Sequence, residues 1–248
     1  MIETVCRPSL FLTFMKHIIL ILSMLCALGI SAEGYNRKSF HQAFLKSDLT
    51  PWHDYITQHI NISDDSLEII LDLEYNYLAW ASTKKFDDTP MLLGAFNRHI
   101  KRYEHLNAGN PDAQSDLNAF RSAAHVYAVA LSDKIQLTHS LQAVTDANKA
   151  CSKDASARAL MHMGFMYFYR PAYAGGNKNK ALTYLRKAEK QYLKEGATDN
   201  WNLRNTQMHI AQCLIKLNRQ SEAQRYIRNI LQEEPGFTFL KQLSTQIR

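Results

Sequence analysis

The spacing of apolar and polar residues predicts helices along most of the chain. In residues 64–81 the apolar side chains recur at intervals of three and four, which places them on one face of an amphipathic helix. These residues are Leu67, Ile70, Leu71, Tyr75, Leu78 and Ala79. Ser63 is the predicted N-cap of this helix. No segment shows a convincing strand pattern, and the nine glycines and six prolines are too few for a fold of many turns. The predicted fold class is therefore all-α.

Polar caps and helix breakers divide this pattern into helix hairpins. Thr50-Pro51 and Thr89-Pro90 each place a polar residue before a proline suited to the first helical turn, and Gly109-Asn110-Pro111 predicts a break between two helices. Further helices are predicted at about 88–106, 112–131, 133–151, 155–169, 177–195, 200–217 and 221–232, with a short one after Pro235. The connections are short, so neighbouring helices are expected to be antiparallel.

Two segments share small and large residues at matching positions. In residues 204–237 the interval from Ala211 to Ala223 equals that from Ala223 to Pro235, twelve residues in each case. The upstream copy has a small residue, Gly164, in its first helix and Ala181 in its second. The full set of signature residues is Leu160, Gly164, Tyr167, Ala181, Leu185, Ala188, Ala211, Leu214, Ala223, Ile227 and Pro235.

This pattern resembles the tetratricopeptide repeat, in which small residues allow paired helices to approach closely. The resemblance is specific over about 155–237 and looser over about 64–237. It implies a right-handed superhelical α-solenoid of antiparallel helix hairpins, with a concave groove that binds peptides or protein segments. One departure is an insertion of five residues within 170–179, between the helices of the upstream copy. Residues 166–187 also resemble a segment of exported bacterial repeat proteins, some of which are similar to periplasmic partner subunits of solute transporters.

The N-terminus reads as a secretory signal. Lys16 and His17 precede an apolar run over 18–30, and Ser31-Ala32 suits cleavage. The run is shorter than a bilayer-spanning helix, and a retained anchor is the alternative. Met15 is a plausible true start. We therefore predict a signal peptide at 1–32, an N-terminal helical cap at 33–62 and the repeat domain at 63–248. The product is expected to be exported, and periplasmic or envelope-associated in a Gram-negative bacterium, with membrane contact only through the signal before cleavage.

Composition and motifs narrow the functional classes. The net charge of +6 is spread along the chain, so nucleic-acid binding is not expected. Hydrolase and nucleotide-binding motifs are absent, and we expect no enzyme activity, no catalytic residue, no cofactor and no metal.

Gly175-Gly176-Asn177 reads as a turn that caps the next helix, with a weak anion site as the alternative. Met161, His162, Met163 and Met166 read as core residues, with copper ligation as the alternative. Cys151 and Cys213 fit either buried free thiols or one disulfide.

The predicted binding residues are Tyr169, Arg170 and Tyr173, at the end of a helix and in the inserted loop. Tyrosine and arginine are common in binding hot spots. The same residues would also occur here if tyrosine and arginine only stacked on each other to hold the loop in place. Asn202, Arg204, Asn205 and His209 are weaker candidates for lining the groove. The predicted function is a non-catalytic scaffold or adaptor that binds a protein or peptide segment in the concave groove. The alternative is a small-ligand or solute-binding subunit associated with a transporter.

Overall fold

Eleven α-helices make up the regular structure of the computed structural model, which describes residues 36–61, 66–152, 154–196 and 199–247. The helices are α1 Arg37–Lys46, α2 Thr50–Gln58, α3 Leu67–Lys84, α4 Thr89–Leu106, α5 Pro111–Leu131, α6 Leu137–Ala150, α7 Ala157–Tyr169, α8 Lys178–Glu195, α9 Trp201–Lys216, α10 Gln220–Glu233 and α11 Thr238–Thr245. A 3₁₀ turn, Ala172–Ala174, lies between α7 and α8. No strand occurs in the described ranges, and the all-α prediction is confirmed.

Side-chain caps explain several of the helix boundaries. Asn110 Oδ1 accepts a hydrogen bond from the Asp112 amide at 3.1 Å, and Pro111 follows it in the first turn of α5. Asn200 Oδ1 accepts from the Leu203 amide at 3.1 Å at the start of α9. These bonds satisfy amide groups that have no partner within their own helix. The predicted cap Ser63 lies outside the described residues.

The first turn of α2 differs in detail from the prediction. Thr50 is the first helical residue, with Pro51 beside it, but the N-cap position belongs to Leu49. The Thr50 amide donates instead to Asp48 Oδ1 at 3.1 Å. The carboxylate of Asp48 therefore performs the capping that the sequence pattern assigned to Thr50.

Successive helices pack as hairpins, α3 with α4, α5 with α6, α7 with α8 and α9 with α10. A Cβ atom on Gly164 would lie 2.6 Å from Leu185 Cγ, so a glycine is required for the close approach of α7 and α8. Most of the repeat-signature residues are buried; Leu160 and Tyr167 are half-buried, and Pro235 is exposed after the end of α10.

The N-terminal helices also pack against the C-terminal ones. The Trp201 ring on α9 lies 5.5 Å from Trp52 of α2 and 6.3 Å from Phe40 of α1. Phe44 lies 5.8 Å from Phe237, which precedes α11. A simple stack of hairpins has contacts only between neighbours, whereas Arg37–Arg248 form one compact unit in which α1 contacts α2, α9 and α11. A superhelical solenoid therefore stays a prediction.

The two cysteines of the repeat segment are free thiols. Cys213 is fully buried and Cys151 is half-buried. Burial raises the pKa of Cys213 to about 12 and that of Cys151 to about 11, which keeps both thiols protonated at neutral pH.

The predicted signal at 1–32, with Cys6 and Cys26, lies outside the described residues. Within those that are described, no helix has the length and apolar character that a membrane crossing requires.

Candidate binding groove at Tyr169

The three predicted binding residues lie at the end of α7 but do not form one cluster. Tyr169 is the last residue of α7, Arg170 is its C-cap, and Tyr173 lies on the 3₁₀ turn. Tyr173 is 93% exposed and has no aromatic contact among the described residues, whereas the Tyr169 hydroxyl lies 2.7 Å from His209 Nε2 on α9. The structure therefore joins Tyr169 to the next hairpin and leaves Tyr173 in solvent.

The inserted loop folds back onto the end of α7. The Gly176 amide donates to the Pro171 carbonyl at 2.9 Å, and the Asn177 amide donates to the Tyr167 carbonyl at 2.9 Å. A Cβ atom on Gly176 would lie 1.9 Å from the Arg170 carbonyl oxygen, so the return path requires glycine. Asn177 Oδ1 accepts from the Lys180 amide at 3.0 Å. The predicted turn that caps the next helix is thus confirmed.

A groove with a volume of about 380 Å³ lies beside Tyr169. Three elements line it: the end of α7, the second half of α9, and one face of α11 together with the C-cap residue Gln246. We call it the Tyr169 groove, and its lining residues are Phe168, Tyr169, Gln212, Ile215, Lys216, Phe239, Gln242, Leu243 and Gln246. Only Tyr169 belongs to the predicted set.

The Tyr169 groove combines apolar rings with amide groups. Three glutamines line it, and Lys216 is the only charged residue among the lining residues. Gln212 Oε1 is buried and has no hydrogen-bond partner among the described residues. A buried acceptor without a partner costs about 1–3 kcal/mol, and a turn of this side chain toward the groove would let an N–H group of a ligand remove that cost. Because an amide both donates and accepts, these glutamines match the pairing needs of a peptide backbone.

His209 fixes the Tyr169 hydroxyl in one hydrogen-bonding role. The His209 Nδ1 atom lies 2.9 Å from the Asn205 carbonyl, which can only accept, so Nδ1 carries the proton. Burial lowers the pKa of His209 to about 4, so the ring is neutral at pH 7 and Nε2 accepts from the Tyr169 hydroxyl. The hydroxyl therefore donates to His209, and its oxygen keeps its lone pairs to accept a further hydrogen bond.

The other weak candidates on α9 do not line this groove. Asn202 Nδ2 donates to Asp72 Oδ1 of α3 at 2.7 Å and receives a bond from Asn76 at 2.8 Å, while Asn205 Nδ2 donates to Asn76 Oδ1 at 2.9 Å. Arg158 of α7 also bonds to Asp72. We call Asp72, Asn76, Arg158, Asn202 and Asn205 the interior network.

Arg204 points toward the opposite end of the hairpin. Its guanidinium group pairs with Glu233 at 3.1 Å and with Glu234 at 3.0 Å. None of Asn202, Arg204 and Asn205 lines the groove at Tyr169. Their side chains bond within the protein, although Arg204 Nε is buried without a partner in the described part of the chain.

The copper alternative has no support at His162. Its Nδ1 lies 3.0 Å from the Tyr75 hydroxyl, and its Nε2 lies 2.7 Å from the Ser122 hydroxyl, so both ring nitrogens have partners. Met161 and Met163 are buried in the helix packing. In the described ranges, no group of three or more His, Cys, Asp or Glu side chains is arranged to hold a metal ion.

Comparisons with protein-family models, with curated proteins and with solved structures give no match to this chain. The proposed function therefore rests on the chemistry of the Tyr169 groove.

Proposed function

We propose that this protein is an exported, non-catalytic adaptor built of tetratricopeptide-like hairpins, and that it binds an extended protein segment in the Tyr169 groove. The observation that carries the proposal is the unsatisfied Gln212 acceptor between apolar walls. Such a site gains from a ligand that brings N–H groups and apolar side chains together, as a peptide does.

The lining residues indicate the composition of the segment. The rings of Phe168 and Phe239 and the side chain of Leu243 provide an apolar surface for one large side chain. Lys216, which is exposed, favours an acidic residue nearby. The segment that we propose is thus extended and carries a large apolar residue next to an aspartate or glutamate.

Two structural features support this version of the adaptor. The close approach at Gly164 is the packing that the tetratricopeptide resemblance implies for α7 and α8. The interior network bonds α3 directly to α9, so the space between these helices is occupied by the protein's own side chains. The proposal accordingly places the segment on the surface formed by α9 and α11.

The small-ligand alternative predicts an enclosed pocket. The volume of about 380 Å³ falls in the range of small-molecule sites, but the Tyr169 side chain on its wall is 67% exposed. An exposed wall favours a longer ligand that continues beyond the groove.

The test is selection from a displayed peptide library on the purified protein, followed by affinity measurements by fluorescence anisotropy. Selected peptides should combine an acidic and a large apolar residue, and Tyr169→Ala should weaken their binding by about 30-fold, as expected for a hot spot. Lys216→Glu should shift the preference from acidic to basic peptides.

Lys241→Glu is the matched control, because it makes the same charge change at an exposed position of α11 that does not line the groove. Equal effects of the two charge reversals would contradict the proposal. A co-purifying small molecule that is lost on Tyr169→Ala substitution, with no peptide selected, would favour the alternative.

A further inference from the structure

A second pocket, with a volume of about 410 Å³, lies where the α1–α2 connection meets the end of α3 and the α3–α4 connection. We call it the Trp80 pocket. Its lining residues are Ser47, Asp48, Leu49, Thr50, His53, Tyr77, Trp80, Phe86 and Asp88. It shares no lining residue with the Tyr169 groove and has no part in the proposed adaptor function.

Three aromatic rings stand at steep angles to one another in the Trp80 pocket. The Trp80 and Phe86 rings are 5.0 Å apart at 63°, and the Tyr77 and Trp80 rings are 5.7 Å apart at 67°. Trp80 is 40% exposed and Phe86 is 38% exposed, which is high for such large apolar side chains. The face of an aromatic ring carries partial negative charge, so a wall of angled rings attracts a cation.

The charged groups of the pocket are acidic. Asp48 and Asp88 line it together with His53, and no lysine or arginine is among its lining residues. Asp88 Oδ2 lies 2.6 Å from His53 Nε2, so even a protonated His53 would leave one net negative charge. This is opposite in sign to the net charge of +6 of the whole chain.

The pKa of the Tyr77 hydroxyl is consistent with a negative electrostatic potential in the pocket. Burial raises the pKa of its hydroxyl to about 12, and the carboxylates of Asp88 and Asp54 contribute in the same direction. Negative groups oppose the formation of a phenolate for the reason that they favour a bound cation.

We propose that the Trp80 pocket binds a small organic cation with an alkylated ammonium group, of about the size of choline. Hard metal ions prefer shells of oxygen ligands, and among the described residues no group of three or more His, Cys, Asp or Glu side chains is placed to form one. An alkylated ammonium group has both the positive charge that the carboxylates favour and the apolar surface that the rings favour.

Tryptophan fluorescence gives a local measurement in the full-length protein. Of the three tryptophans, Trp52 and Trp201 are 0% exposed, so a ligand in the pocket should change mainly the emission of Trp80. Titration with choline should give a saturable change. The matched probe is 3,3-dimethylbutan-1-ol, which has the same shape without the charge and should bind about tenfold more weakly.

Substitutions in the Trp80 pocket test whether the fluorescence response comes from binding there. In Trp80→Phe the fluorescence response to choline should disappear, and its persistence would overturn the proposal. Asp88→Asn should weaken choline binding about tenfold, while Asp133→Asn, at an exposed carboxylate outside the pocket, should leave it unchanged. If loss of the bond to His53 unfolds Asp88→Asn, Asp48→Asn provides the same test. Equal affinities for choline and the alcohol, or no saturable response, would also overturn the proposal.

Discussion

Both halves of α9 contain side-chain amides, but the surroundings of these amides differ. In the first half, the amides of Asn202 and Asn205 are bonded to Asp72 and Asn76 of α3. In the second half, Gln212 lines the Tyr169 groove, and its buried oxygen has no partner among the described residues. Two other groups of α9, Trp201 Nε1 and Arg204 Nε, are also buried without a partner in the described ranges, but neither residue lines the Tyr169 groove or the Trp80 pocket. A polar residue on an inner helix is therefore a candidate contact for a ligand only where it lacks a partner and also lies beside a groove.

The interior network also contains charge. Arg158 bonds to Asp72 and, at 3.2 Å, to Asp116 of α5, so one guanidinium group links three helices. Removal of one member of a buried ion pair leaves the other charge without compensation and is costly. By contrast, the Tyr169 groove contains one charged residue, Lys216, which is exposed to solvent.

The largest effect is expected for Asp72→Ala in the interior network. This substitution removes one of the two carboxylate partners of Arg158 and the acceptor of Asn202 Nδ2, and we expect the free energy of unfolding to fall by about 3 kcal/mol. Urea denaturation followed by circular dichroism measures it. Asp133→Ala removes a fully exposed carboxylate and should leave the denaturation midpoint unchanged. Equal midpoints for the two variants would show that the network does not stabilise the fold.

A matched pair of amide replacements tests the comparison between the two halves directly. Asn76→Leu leaves Asn202 Oδ1 and Asn205 Nδ2 without their partner, although Asn202 Nδ2 keeps its bond to Asp72, and should cost about 1–3 kcal/mol of unfolding free energy. Gln212→Met removes a buried acceptor that has no partner, so it should leave the free energy of unfolding unchanged or raise it by up to about 1–3 kcal/mol, while weakening peptide binding. Denaturation and anisotropy measured on the same samples separate the two effects. A similar loss of stability in both variants would show that the Gln212 amide is bonded within the protein in the same way as the Asn76 amide.

The smallest effect concerns the dependence of stability on pH. Burial lowers the pKa of His162 to about 3, with the nearby charge of Arg170 as a second cause. The unfolded chain binds a proton near the ordinary pKa of 6.5, while the folded protein does not. Stability is therefore complete above pH 6.5 and falls as the pH is lowered from there toward 3. Between pH 7 and 5.5, this residue should account for a loss of about 1 kcal/mol.

His162→Gln should remove that part of the pH dependence, as measured by urea denaturation at the two pH values. His105→Gln, at an exposed position, is the control and should retain the loss seen in the original protein. If the two variants lose the same amount of stability on acidification, His162 does not exclude a proton in the folded state.

The helices were largely predictable, whereas the surroundings of α9 were not. Nearly every residue over 201–214 is buried, although many of them are polar. The polar residues of an amphipathic helix are expected to face solvent. That expectation fails here, because Asn202 and Asn205 bond to residues that lie 126–130 positions away in the sequence. Tyr169, which lines the groove, was predicted from its residue type and its place beside an insertion. No sequence pattern indicated that Gln212 and Gln242 line a groove, because their position there depends on where α11 packs.

By itself, the sequence determined what depends on near neighbours along the chain: the helical class, the break at Gly109-Asn110-Pro111, the cap at Asn177 and the small residue at Gly164. Each of these follows from backbone hydrogen bonding or side-chain size within one hairpin. Only the tertiary structure decided which polar groups are satisfied, that α1 packs against α9 and α11, and that aromatic rings and carboxylates meet in the Trp80 pocket. The physical reason is that these features depend on contacts between distant segments, and no local pattern encodes the partner of a buried amide or charge.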